Sequence, residues 1–388
     1  MIEKYYDGAI EQVAAGLGTV EKNYLLVRYS GQFSVENLND TKQLEKNEDI
    51  FVQVHEFETG EITCAYEPYL TMICDGFRRY MTGTFEEFME TCDVYYLHRP
   101  VLLGYFNQDN TGREEIILLD EVAYEQERML AALERMLCAI ADRHPVLFVL
   151  NRFQLASKST MQLTARFLKC ENCNIGLVLG VSDIQAMPEF LVPDWEMLYE
   201  TLDDGSKIYH IGNSGRKKEE TIDDEKYVDY GSEKVYRKLQ NMVEFLDFDQ
   251  AAYYLETIER KIKFDNLLVD DAARFRMWLL FVKVSILRQD IPKALEICED
   301  LEKIHLAGKE EECAYEQDYL IATAYMYQGK LKEALEMAGE TYRIAGKMSD
   351  DYRMFLSELL EAKIQMSGWY NIFFCAQDVK IKESLIQN

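Results

Sequence analysis

The sequence predicts two kinds of architecture in one chain: an α/β domain with a mainly parallel sheet, then an all-α domain of helical repeats. Three observations carry this. Up to about Gly212, short apolar runs rich in β-branched residues alternate with amphipathic stretches. Beyond Ser232 the apolar spacing is helical almost throughout. Between them lies GNSGRKKEETIDDEKYVDYG (Gly212–Gly231), polar, charged and bounded by glycines, which reads as a linker. The expected division is residues 1–212, a linker over 213–231, and 232–388. A chain of 388 residues is long for a single core, which agrees with more than one domain.

The elements follow in order. Tyr24–Tyr29 (YLLVRY) reads as the first strand, and the polar Val35–Asn47 as a helix. Asp49–Phe57 (DIFVQVHEF) is the second strand, followed by a long helical region over Tyr69–Met89 that contains Gly76 and Gly83. Val94–Phe106 fits either state. Over Glu121–Arg143, Val122, Met129, Leu130, Leu133, Met136, Leu137 and Ile140 recur at three- and four-residue steps, so they share one helix face. Pro145 ends that helix. Val146–Leu150 (VLFVL) and Ile175–Val181 (IGLVLGV) are continuous apolar runs, as strands buried on both faces of a parallel sheet require. Ser159–Lys169 is the helix between them, and Lys207–Ile211 a weaker last strand. Strands alternating with helices predict the parallel sheet.

Charge narrows the function classes. With 69 acidic and 42 basic side chains the net charge is −27. Such a surface repels phosphate backbones and anionic membranes, so neither direct nucleic-acid binding nor membrane binding is expected. Basic or neutral protein partners suit it, and the acidity also serves solubility alone. The opening MIEKYYDGAIEQ lacks the basic and apolar regions of a secretory signal, and no window approaches the roughly 18 apolar residues of a membrane span. Nine cysteines without regular spacing read as reduced thiols of a cytoplasmic protein. Cys170 and Cys173 form a lone CxxC after a helix. Without a second pair it reads as a packed loop, and no metal site is expected. The five histidines show no ligand spacing, and no GxSxG nucleophile turn occurs.

In the C-terminal part, Tyr319–Ala338 reads YLIATAYMYQGKLKEALEMA. Ala322 and Ala334 let two helices approach closely, Tyr325 fills the groove against the next unit, and Gly329 makes the turn. This resembles the tetratricopeptide pattern. Trp278–Leu301 repeats the logic: Ala294 aligns with Ala334, Trp278 stands where the pattern takes Trp, and Gln289 replaces the turn glycine. Phe248–Ile258 supplies another second helix around Ala252, and Ala362, Gly368 and Trp369 suggest a further turn. The spacing of Ala252, Ala294 and Ala334 exceeds the usual period of about 34 residues, so the repeats are tetratricopeptide-like. These residues are expected to hold helices together rather than to touch a ligand. A stack of such pairs presents a concave groove suited to a peptide or protein.

Residues Glu127–Leu168 carry a second resemblance. A helix leads to His144-Pro145, then the VLFVL strand, then a Gln154-Leu155-Ala156 turn and another helix, and GLVLGV follows as the next strand. With Glu67-Pro68-Tyr69-Leu70 after the second strand, this order resembles the signal-transduction ATPases with numerous domains. These are P-loop regulators of the maltose-regulon-activator-like class, and the likeness spans roughly residues 20–212. The resemblance implies a P-loop NTPase-like sheet domain holding ATP and Mg²⁺. The positions that carry the chemistry depart from it. After YLLVRY, Gly31 survives, but Glu36, Asn37 and Leu38 replace the closing Gly, the phosphate-binding Lys and the Mg²⁺-binding Ser/Thr. Asn151 and Arg152 replace the paired Walker B acids, Ser157 the acid that often closes the turn, and Val181-Ser182-Asp183 the arginine after the next strand. A second glycine-containing stretch, Gly16–Asn23, keeps Lys22 but lacks a preceding strand and a closing Gly.

The sequence is therefore read as a non-catalytic cytoplasmic regulatory scaffold. Its repeats bind a protein or peptide, and its pseudo-ATPase domain is a structural module or pairs with an active ATPase homologue. No cofactor is expected. The alternatives are a nucleotide-binding switch or weak ATPase that takes ATP and Mg²⁺, and a transcriptional regulator acting through a partner, since no DNA-binding helix-turn-helix is found.

Overall fold

A computed structural model of the chain describes residues 2–17, 24–29, 49–58, 61–108, 121–170, 174–182, 187–202, 208–211, 229–265 and 267–367. The described residues are mostly helical and hold one parallel sheet. The expected Val35–Asn47 helix and Cys173 lie outside them. The chain divides into two compact units: Met1–Asp229 with Arg237–Ala251, and Tyr230–Tyr236 with Ala252–Asn388.

The first unit is α/β. Its strands β1 (Tyr24–Tyr29), β2 (Phe51–Glu56), β3 (Val146–Asn151), β4 (Ile175–Ser182) and β5 (Ile208–Ile211) lie in the order β2-β3-β4-β1-β5. All neighbours are parallel. β3 and β4 are buried along their whole length, as their unbroken apolar runs require. One face packs on α1 (Ile2–Gly16), whose Ala9, Ile10 and Val13 meet Leu25, Val27, Leu147, Val149 and Val178. Gly176 permits this, because a Cβ there would stand 2.7 Å from Val13. The other face carries α2 (Tyr69–Tyr80), α5 (Val122–Ala141) and α6 (Lys158–Lys169). Tyr69 of α2 sets its ring edge-on to Phe148 at 4.7 Å, and its hydroxyl lies 2.6 Å from that of Thr164 in α6. A Cβ on Gly76 would stand 2.9 Å from Ile140, so the bare glycine brings α2 against α5.

Two local expectations change. The single helix read over Tyr69–Met89 is two: α2 ends at Tyr80, Gly83 takes φ +92°, and α3 (Phe85–Thr91) starts afresh. Thr84 and Glu87 form a capping box there, a start signal stronger than the apolar spacing that runs across it. The ambiguous Val94–Phe106 stretch holds a helix, α4 (Arg99–Asn107), with Pro100 in its first turn. Two helices had gone unread: α1, and α7 (Val192–Leu202).

Composition places the start of the repeats at residue 232. In the structure, α8 (Glu233–Glu244) and the beginning of α9 (Phe248–Phe264) run into the first unit, which claims residues 237–251. The physical reason is helix capping. The first backbone N–H groups of α6 have no partner within their own helix. Lys158 N donates to Gln250 Oε1 at 3.3 Å, Ser159 N to Asp247 Oδ2 at 3.1 Å, and Thr160 N to Ser157 Oγ at 3.3 Å. Two of the three acceptors thus come from residues about ninety positions away. Lys158 Nζ adds an ion pair to Asp249 at 2.5 Å, Lys238 donates to Glu61 and to the Ile62 carbonyl, and Gln126 donates to the Leu246 carbonyl.

The second unit is helical: α10 (Asp271–Leu287) pairs with α11 (Ile291–Leu301), α12 (Glu310–Gln328) with α13 (Leu331–Met348), and α14 covers residues 351–367. Four turns share one geometry. Leu246, Gln289, Gly329 and Ser349 have φ of 65°, 63°, 80° and 55°, and each stands two residues before the next helix. At each, the following N–H donates to the carbonyl five residues back: Asp247 to Met242, Asp290 to Ser285, Lys330 to Tyr325 and Asp350 to Ala345. This is the Schellman closure of a helix end. The register makes Ala251, rather than Ala252, the counterpart of Ala294 and Ala334, each being the fourth residue of its helix. Ala362 lies within α14 and marks no turn, while Gly368 and Trp369 lie outside the described residues.

Two outcomes test this account. Burial pushes the Asp247 carboxyl up from 3.8 to about 6, against the Ser159 hydrogen bonds and Lys158, which pull it down. A raised carboxyl pKa makes the folded chain the stronger proton binder. Its contribution is complete below 3.8 and is lost as pH rises through about 6. Urea unfolding across that window should show wild-type stability falling by on the order of 2–3 kcal/mol relative to Asp247→Asn. At the turns, Gly329→Ala should cost about 1 kcal/mol, and Gln289→Gly should stabilise by about 0.5–1 kcal/mol, since only a residue with a Cβ is strained at positive φ. Thermal melts of both variants give the two signs.

Candidate functional site

In open α/β sheets, ligand sites form beyond the carboxyl ends of the strands, where the direction of winding reverses. Here the chain leaves β1 toward β2 on one side and leaves β4 toward β5 on the other, so the reversal falls at β1 and β4. Tyr29, Glu56, Asn151 and Ser182 end β1, β2, β3 and β4 at this edge, and Arg152 follows Asn151.

The edge is closed by its own side chains. Tyr29 Oη donates to Asn151 Oδ1 at 2.7 Å, and both residues are buried. β1 and β3 flank β4, so the phenol spans two strand spacings, about 10 Å. On β4, Gly180 pairs with Val27, two residues before Tyr29, and adds no side chain there. Burial pushes the Tyr29 phenol up to about 12, which keeps it a donor. Arg152 takes φ +54° and sets its Nε 3.4 Å from Glu56 Oε1. Gln154 clips β3 to β4 at two points: its Nε2 donates to the Ser182 carbonyl at 3.2 Å, and Ser182 N donates to its Oε1 at 3.3 Å. Ser157 is fully buried as the N-cap of α6.

The acid pair that would hold Mg²⁺ is missing from this edge. β3 offers no carboxylate at 151 or 152, the Asn151 oxygen accepts from Tyr29, and Arg152 places a cation beside Glu56. Among the described residues, no cluster of three or more His, Cys, Asp or Glu is placed to hold a metal ion. No described helix is long and apolar enough to cross a membrane. A groove of about 440 Å³ opens elsewhere on this unit, lined in part by Arg78, Arg237, Asp75 and Glu244. Its charges are mixed, and Arg78 already meets Asp75 and the Phe106 carbonyl.

The sequence-read positions fall as follows. Asn151 and Arg152 sit at this edge. Gly31, Glu36, Asn37 and Leu38 lie outside the described residues. Of the alternative glycine stretch, Gly16 is the last residue of α1. The repeat positions are in the second unit: Trp278, Ala294, Ala322 and Ala334 are buried, Gly329 closes α12, and Tyr325 packs partly buried against the Ala322–Ala334 cluster. Cys170 caps the end of α6. Sequence reading missed Tyr29 and Glu56. Their signal was position alone, as the last residues of β1 and β2.

Compared with described protein families, with curated proteins and with solved structures, the chain matches none of them.

Removing the Tyr29 hydroxyl tests the closure. Tyr29→Phe leaves the buried Asn151 oxygen without that donor and should cost about 1–3 kcal/mol by chemical denaturation. A change within a few tenths of a kcal/mol would mean the bond is not holding the edge.

Proposed function

We propose that this chain is a non-catalytic regulatory scaffold, in which a P-loop-like domain without its chemistry accompanies tetratricopeptide-like repeats that bind a protein or peptide. One observation carries the reading. The two positions where the resemblance calls for metal-holding acids are Asn151 and Arg152, and both are engaged within the fold, with Tyr29 and Glu56. The sheet order supports the same comparison, because it sets the strand before the P-loop-like segment and the strand ending at 151 on either side of β4, at the winding reversal. Removal of a single preorganised group from such a site costs roughly 3–4 kcal/mol of transition-state stabilisation, and here several are replaced together. The four matching turns and the buried small residues support the repeat part of the reading.

Calorimetry of the full chain with millimolar ATP and Mg²⁺ should give no binding heat, and phosphate release should stay at the buffer rate. Heat without turnover would favour the nucleotide-switch alternative. Turnover that disappears on changing Asn37 or Asn151 would sink the scaffold reading.

A further inference from the structure

The last described helix, α14, is apolar on two opposite faces. One face is core: Ser357, Leu360 and Ile364 are buried, the latter two against Ala322, Ala334 and Ala338. The other is open. Tyr352, Phe355, Leu359 and Met366 are 49%, 57%, 38% and 59% exposed, and the exposed Ala362 continues their line. The steps between these five are three, four, three and four residues, which forms one straight seam along a helix. At about 100° per residue the seam lies opposite Leu360 and Ile364. Scattered exposed apolar side chains need no explanation, but a contiguous stripe marks an interaction surface. A helix whose two opposite faces are both apolar belongs inside a stack.

Charge indicates the occupant. Along one edge of the seam run Asp351 and Glu358, both exposed, while Lys363 stands on the other. These acids, in a chain of net charge −27, disfavour an anionic membrane. A second copy laid antiparallel along the seam would set the same two acids against each other, which is unfavourable.

We propose that the open face of α14 docks one amphipathic helix of a partner protein, apolar at heptad spacing and lined with Lys or Arg on the flank that meets Asp351 and Glu358. The proposal rests on the scaffold reading and names its partner. Nucleotide titration tests that reading, whereas peptide binding tests this one.

The probe is a designed peptide of about three heptads, with Leu at the two seam positions and Lys on the flanks. Its fluorescence anisotropy is followed against the full chain at physiological ionic strength. A scrambled peptide of the same composition and a Glu-flanked version serve as comparisons. The Lys-flanked helix is expected to bind at least about tenfold more tightly than either. Phe355→Ala with Leu359→Ala should weaken it about tenfold or more, with the circular dichroism melt unchanged because both side chains are exposed. Asp351→Lys with Glu358→Lys should reverse the preference toward the Glu-flanked peptide. Equal binding of the scrambled peptide, or indifference to the seam variants, overturns the proposal. So does sedimentation showing a wild-type dimer that Leu359→Glu dissociates, since the occupant is then a second copy. Binding seen only after removal of residues 368–388 also overturns it, by making that segment the occupant.

Discussion

The hydrogen bond from the Tyr29 phenol to the Asn151 carboxamide is the constraint on which the carboxyl edge of the sheet depends. It joins the ends of two strands that are not neighbours, across β4. A carboxylate at position 151 could accept the same bond, but it would bring a negative charge into a site with no exposure to water. The neutral amide avoids that cost. The neighbouring Arg152, held at positive φ, turns its charge toward Glu56. Groups that a nucleotide site would direct outward are here directed at one another.

The same economy of polar groups explains where the first unit ends. In the turns that precede α11 and α14, an aspartate caps its own helix: Asp290 accepts from Lys293 N, and Asp350 from Arg353 N. Asp247 occupies the corresponding place before α9, but its carboxylate goes to Ser159 N at the start of α6. One cap is thus diverted from its own helix to another far away in sequence. With Gln250 beside it, residues 237–251 become part of the α/β unit although their turn geometry is that of the second unit's helix pairs.

Along the C-terminal helices, from α8 onward, backbone geometry and side-chain identity carry different weight. Four turns close in the same way, yet only one uses glycine; Gln289, Leu246 and Ser349 accept positive φ. The closure hydrogen bonds and the buried alanines that follow outweigh the strain on a Cβ. This is why the repeat was legible at Gly329 and blurred at Gln289. The same turns set the alanine register, which falls on Ala251 rather than Ala252.

The sequence by itself determined the class of fold and most strand positions, because unbroken apolar runs such as Val146–Leu150 and the 3.6-residue spacing of Glu121–Arg143 are local signals. It also determined which side chains stand at 151 and 152. Tertiary structure alone decided what those side chains touch. Tyr29 and Asn151 are 122 residues apart, Asp247 and Ser159 are 88 apart, and no local pattern records such pairings. It also decided that the helix read over Tyr69–Met89 breaks at Gly83, where a capping box overrides periodicity, and that α14 is apolar on two sides, one buried and the other exposed. Local spacing dictates elements. The partners of buried polar groups, and hence the domain boundary and the closed edge, depend on which distant strand or helix end is left needing a hydrogen bond.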